Sequence, residues 1–149
     1  MKQRLFVYGL LLFPAAVTAL TGHRFHSRKA ILQGFRRHCL GIAGYRHIAA
    51  IAEDGNAIVQ GRVLYGIDRR SLKILDVFEG VDQGLYCREP VSVTSNTGRR
   101  ITAQAYLAGH AVRDTLAEDW NPKAFETKYL DHYLTELIPR FRRDIRRLI

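Results

Sequence analysis

The sequence predicts an α+β domain built around a small, partly closed sheet. Several short apolar runs have the length and β-branched content of strands, one intervening segment repeats its leucines at helical spacing, and turn residues separate them. No internal repeat, low-complexity stretch or linker interrupts the 149 residues. A chain of that length buries roughly two-thirds of the surface its unfolded form exposes, enough for one core. Hydrophobic residues are 47% and charged residues 25%, an ordinary globular balance that excludes a disordered or fibrous chain.

The first strand spans residues 4–8. The stretch 5–20 is almost wholly apolar behind Lys2 and Arg4, so it imitates a secretory leader. Tyr8-Gly9 and Pro14 interrupt it where a leader is helical, and the reading favoured is a buried strand, a tight turn and a short helix. Pro14 suits the first turn of that helix and Gly22 its end. Further strands are expected over residues 29–37, 45–52, 57–65, 86–94 and 101–108. Glu53-Asp54-Gly55-Asn56 reads as the tight turn of a hairpin between the second and third of these, and Ser95-Asn96-Thr97-Gly98 as the turn joining the last two. Between them one helix covers residues 68–80, with Asp68 as its cap and Leu72, Leu75 and Phe78 on one face.

Residues 1–117 read as the domain and 118–149 as a helical extension. Asn121-Pro122 opens a helix whose apolar positions include Phe125, Tyr129, Tyr133 and Leu137, and Pro139 kinks or restarts it. Around and beyond Pro139, Ile138, Phe141, Ile145 and Leu148 share a face, with Arg140, Arg142, Arg143, Arg146 and Arg147 around them. Such a helix packs on the domain or on a second subunit as a homodimer. A basic amphipathic helix meeting anionic lipid or nucleic acid is the rival reading.

Composition narrows the chemistry. Cys39 and Cys87 are the only cysteines, which excludes a disulfide scaffold and a four-cysteine zinc site and fits free thiols in the cytoplasm. No run reaches the roughly 18 apolar residues of a membrane span. The six histidines lack metal-ligand spacing, so no metal site is expected. No nucleophile elbow and no phosphate-binding glycine loop occurs either. His38 and Cys39 are strand neighbours that face opposite sides, which argues against a catalytic pair. The net charge is +9, and every acidic side chain lies at or after Glu53. That basic first third is read as solvated strand faces rather than a nucleic-acid surface.

One carboxylate stands out. Glu79 lies four residues after Leu75 and seven after Leu72, on the stripe those leucines turn to the core. A carboxylate held there is costly when ionised, its pKa rises, and it is a candidate general acid/base. Alternatively it ends the helix before Gly80 and reaches solvent. Tyr86, Arg88 and Tyr106 fall on strands that can line a cleft or simply pack.

Two separated motifs resemble one known family. Phe6-Val7-Tyr8-Gly9-Leu10-Leu11 is similar to the opening of the γ-glutamylcyclotransferase-like (AIG2-like) proteins. Leu75-Asp76-Val77-Phe78-Glu79-Gly80, followed by Tyr86-Cys87-Arg88 and Val91-Ser92-Val93, is similar to that family's second block. Gly34 and Gly61 stand where the family commonly has glycines. The resemblance covers roughly residues 4–108 and implies a small mixed β-barrel flanked by helices, with the tail as an extension. It implies release of 5-oxoproline from a small γ-glutamyl amine or amide without metal or organic cofactor. It also implies Glu79 as the catalytic acid/base, and Tyr8, Gly9, Leu10 and Leu11, with Tyr86, as the substrate-binding residues.

That chemistry suits both motifs. The substrate's own α-amine attacks its γ-carbonyl, so the site has mainly to fold the substrate and move protons. Glu79 would take the ammonium proton and return it to the leaving amine. Backbone N–H groups of the turn after Tyr8 would stabilise the oxyanion, and Gly9, without a Cβ, would let the backbone approach. The family usually carries Thr or Ser where this chain has Leu10, which removes a hydroxyl and adds an apolar branch. Two other readings stay open: a non-catalytic small-molecule-binding member of the same fold, and a basic protein that binds nucleic acid or an anionic surface.

Overall fold

The computed structural model describes residues 2–146. Six strands run β1 (Gln3–Val7), β2 (Ser27–Leu40), β3 (Ala49–Ile67), β4 (Tyr86–Ser95), β5 (Arg100–Ala108) and β6 (Leu116–Asp119). Five of them close into a mixed barrel. β1 pairs antiparallel with β3 and parallel with β5, β5 pairs antiparallel with β4, and β2 pairs antiparallel with both β4 and β3, returning to β1. Closure leaves no free edge among these five strands. The expected barrel with flanking helices is therefore the observed architecture.

β1 explains the leader-like start. Leu5, Phe6 and Val7 are consecutive and all buried. That happens only when both faces of a strand are covered, here by the barrel interior on one side and the outer layer on the other. Phe6 crosses β3 at Gly61, where a Cβ would lie 2.3 Å from the Val7 carbonyl oxygen and 2.7 Å from the Phe6 ring. Only glycine permits that approach. Helix α1 (Pro14–Thr21) begins on its proline and ends at Gly22 with φ +78°.

The hairpin turn expected at Glu53-Asp54-Gly55-Asn56 is not a turn. β3 is one 19-residue strand that runs through it. Gln33 pairs with Ile58 and Phe35 with Glu53, so residues 54–57 bulge opposite Gly34, and the Asn56 N–H donates to Asp54 Oδ1 at 3.2 Å. Asp-Gly bends the strand there without reversing it, because ladder pairs continue on both sides. The reversal comes at residues 41–48, closed by Leu40 N–H donating to the Ile48 carbonyl at 3.0 Å. The separate strand expected from residue 45 thus begins at Ala49.

Helix α2 (Arg69–Phe78) is capped by Asp68, whose side chain accepts from the Ser71 N–H, and the chain leaves it through Gly80 at φ +66°. Leu72, Ile74 and Leu75 are buried. The turn after β4 also forms as expected, with Gly98 at φ +84°.

The tail first adds β6 to the far end of β2, through His38 opposite Asp119 and Leu40 opposite Leu116. Asn121 then caps α3 (Pro122–Phe125) by accepting from Ala124 N–H at 3.0 Å. Two π-helical turns, Glu126–Leu130 and Tyr133–Leu137, lead into α4 (Ile138–Ile145), which carries Pro139 in its first turn. Pro139 has no N–H to give and crowds a helical carbonyl behind it, and the wider turn just before it makes room. Ile138 and Ile145 are buried, and Phe141 meets Phe78 edge-to-face at 5.1 Å. Arg142 donates to the Leu20 carbonyl at 2.9 Å, so the tail packs on its own α1 and α2. Leu148 and Arg147, expected to extend this helix, lie outside the described residues. Among the described residues, no helix is long and apolar enough to cross a membrane.

Candidate active site

A cavity of about 430 Å3 opens where the chain leaves β1, where α2 ends, and where the tail crosses. Tyr8, Gly9, Leu10, Leu11, Glu79 and Tyr86 all line it. The structure thus brings these six residues together, although they come from two distant stretches of the sequence.

Glu79 occupies the C-terminal cap of α2, with its N–H still donating to Leu75 at 2.9 Å. That bond keeps the residue in helical phase, so its side chain follows Leu72 and Leu75 inward instead of fraying to solvent. Among the described residues its carboxylate has no hydrogen-bond donor. Its pKa is raised to about 8, first by burial and second by the negative charge of Asp76. Such a group is protonated in most empty molecules at neutral pH and exchanges its proton near that pH.

Asp76 is tied to partners of its own. Arg88 forks onto it, Nε to Oδ1 at 2.8 Å and Nη2 to Oδ2 at 3.1 Å, and the Tyr106 hydroxyl donates to Oδ1 at 2.7 Å. Burial and that bond push the Tyr106 phenol far above its ordinary range. Arg88 and Tyr106, first read as cleft-lining or packing, divide the two roles: Tyr106 lines the cavity, while Arg88 neutralises the carboxylate behind it.

The loop after β1 is a 3-10 turn over Leu10–Leu12, closed by Leu12 N–H donating to the Gly9 carbonyl at 2.9 Å. The N–H groups of residues 9–11 precede that first bond and make no backbone hydrogen bond outside the regular elements. Gly9 has φ −125°, so no left-handed conformation demands glycine. A Cβ there would stand 3.1 Å from the Ala49 Cβ, so close packing on β3 is what favours a bare residue. Arg37 braces the loop from behind, Nη1 donating to the Tyr8 carbonyl at 3.0 Å and to Gln60 at 3.2 Å, with its guanidinium over the Trp120 ring.

The two expected binding tyrosines have committed hydroxyls. Tyr8 donates to the Tyr106 carbonyl and Tyr86 to the Ala49 carbonyl. Burial raises both phenols well above their usual value, and the Glu79 charge adds to it. They are neutral walls that can still accept a hydrogen bond.

One side of the cavity was not foreseen. Trp120, Phe125 and Tyr133 of the tail line it together with His47. Tyr133 and His47 share a hydrogen bond of 2.9 Å, and Trp120 Nε1 donates to the His47 carbonyl at 2.8 Å. Burial lowers the His47 pKa, and burial with the nearby Glu79 raises that of Tyr133 to about 12. The amphipathic pattern of the tail marked Phe125 and Tyr133 as buried but could not say against what. His38 and Cys39 do not pair: His38 Nδ1 contacts the Ala117 carbonyl and Cys39 the Asp119 carbonyl. Neither cysteine forms a disulfide, and no cluster of metal-ligating side chains forms among the described residues.

The family model described as "Gamma-glutamyl cyclotransferase, AIG2-like" matches residues 5–122. The chain belongs to that γ-glutamylcyclotransferase-like family. The match runs past residue 108, where the motif resemblance stops, and takes in β6. AIG2-like protein C of Arabidopsis thaliana is 34% identical over 118 residues, covering 78% of this chain and 65% of its own length. A solved structure titled gamma-glutamyl cyclotransferase superposes with a TM-score of 0.64 at 26% identity, over 72% of this chain and 67% of that one. A solution structure from Arabidopsis thaliana matches 97% of this chain and 91% of its own with a TM-score of 0.66, at 24% identity. At that identity the likeness speaks for the fold, tail included.

Proposed function

We propose that this γ-glutamylcyclotransferase-like protein is an enzyme that releases 5-oxoproline from a small γ-glutamyl amine or amide. The observation that carries the reading is the Glu79 carboxyl, without a donor among the described residues and with a pKa raised to about 8, in one cavity with the turn after Tyr8, whose N–H groups make no hydrogen bond among those residues.

The substrate's α-ammonium enters beside Glu79 and gives it a proton. The freed amine attacks the γ-carbonyl carbon, forming the ring N–C bond. Charge on the carbonyl oxygen is met by the N–H groups of residues 9–11. Glu79 then returns the proton to the departing nitrogen as the old amide C–N bond breaks, takes the second proton from the ring nitrogen and passes it to the released amine, leaving 5-oxoproline and an ammonium. Atoms and protons balance without water. Leu10 leaves the backbone donors in place, so the missing hydroxyl bears on affinity more than on the step itself. The family and its solved relatives support the reaction class, and the two unpaired thiols support a cytoplasmic setting.

The test is 5-oxoproline release from γ-glutamyl amides by the protein and by Glu79→Gln. General acid–base catalysis contributes about 100- to 10,000-fold, so kcat in the variant should fall by at least that lower figure. Turnover that survives the substitution would remove Glu79 from the mechanism. Binding of the amides without product would instead favour a non-catalytic member of the fold.

A further inference from the structure

Apart from tyrosines, Glu79 and His47 are the only ionisable side chains on the cavity wall among the described residues. In the proposed reaction the glutamyl end of a substrate claims the Glu79 carboxyl and the N–H groups of the turn. His47 is already bonded to Tyr133. Arg37 lies behind the loop and is not part of the wall, its Nη1 engaged by two backbone carbonyls.

What remains for the other end of the substrate is hydrocarbon. Leu10, Phe125 and Leu85 contribute to the wall, and so does Tyr45 from the β2–β3 connection. Leu85 is 41% exposed and Tyr45 55% exposed, so the cavity meets solvent past apolar side chains. A volume near 430 Å3 falls in the range, about 300–1,000 Å3, of pockets that enclose drug-sized ligands. The five-carbon glutamyl group leaves much of it unfilled.

We infer that the site selects γ-glutamyl amides whose leaving amine carries an uncharged, apolar body, such as a benzyl or branched alkyl group, over those whose leaving amine carries an ammonium or carboxylate. A charged group in that half of the cavity gives up water and finds no partner, whereas an apolar one removes its own surface and that of Leu85 and Tyr45 from water. The inference rests on the proposed reaction for the position of the glutamyl end.

The experiment compares γ-glutamylbenzylamide with Nε-(γ-glutamyl)lysine and γ-glutamylcysteine. Uncompensated polar burial costs about 1–3 kcal/mol, a factor of about 5 to 150, so kcat/KM should favour the benzylamide by roughly fivefold or more. Leu85→Asp should raise KM for the benzylamide and narrow that ratio. Equal or higher kcat/KM for the charged amides overturns the selectivity while leaving the reaction intact. If no amide yields 5-oxoproline, the reaction fails, and calorimetry decides the selectivity separately. Benzylamide binding tighter than that of either charged amide by roughly fivefold or more supports it, and a smaller preference, reversed or undetectable binding overturns it.

Discussion

The Tyr133 hydroxyl and His47 Nε2 lie 2.9 Å apart, joining a π-helical turn of the tail to the β2–β3 connection across the cavity wall. The His47 ring also stacks on Tyr129, 4.4 Å between centroids, and its carbonyl accepts from Trp120. One residue of a connection thus holds three residues of the tail.

That bond should register in stability. In a cycle of His47→Ala, Tyr133→Phe and the double variant, urea denaturation should show a coupling of about 0.5–1.5 kcal/mol. Strictly additive losses would mean that the two groups do not cooperate.

Glu79 makes stability depend on pH. Its folded pKa of about 8 lies above the ordinary 4.5, so the folded chain holds this proton more tightly than the unfolded chain. Stability from this group is complete below pH 4.5, declines between 4.5 and 8, and is lowest above 8. Chemical denaturation at pH 5 and pH 9 should therefore show the native protein losing roughly a few kcal/mol relative to Glu79→Gln. A difference between the two proteins that stays constant with pH would contradict the burial of this carboxyl.

In the proposed reaction the same group sets the pH profile of turnover. As a base it must be ionised, so kcat/KM should climb on the acid side with a midpoint near pH 8. Asp76→Asn keeps an acceptor for Tyr106 but removes the neighbouring charge, and the acid limb should move to lower pH. An unmoved limb would show that Asp76 does not act on Glu79.

Two glycines should answer alanine differently. At Gly61 the new Cβ strikes backbone at 2.3 Å, and Gly61→Ala should prevent stable folding. At Gly9 it meets only the Ala49 Cβ at 3.1 Å, so Gly9→Ala should cost about 1 kcal/mol or a little more. Adding Ala49→Gly relieves the contact directly, so in thermal melts the double variant should regain stability relative to an Ala49→Gly control. If it does not, something other than that contact keeps position 9 bare.

Local signals in the sequence were readable where local chemistry decides the structure. Asp68, Gly80 and the leucine spacing fix α2, and they put Glu79 on its inward stripe without knowledge of the rest of the fold. Asp54-Gly55 misleads because its turn preference is outweighed by ladder pairing on either side of it. β6 escaped because Leu116-Ala117-Glu118-Asp119 has no strand pattern of its own. It exists by pairing with β2, aided by the Arg36–Asp119 ion pair at 2.8 Å. The cavity wall formed by Trp120, Phe125 and Tyr133 depends on where the tail crosses the barrel, and helical periodicity carries no information about that crossing.

The crossing divides labour along the chain. In the proposed reaction the proton carrier and the bend of main-chain donors belong to helix α2 and the loop after β1, while Trp120, Phe125 and Tyr133 of the tail supply one wall of the cavity. Altering the terminal aromatics would therefore retune which molecules fit and leave the reacting centre as it is, so one chemistry can serve differently shaped guests.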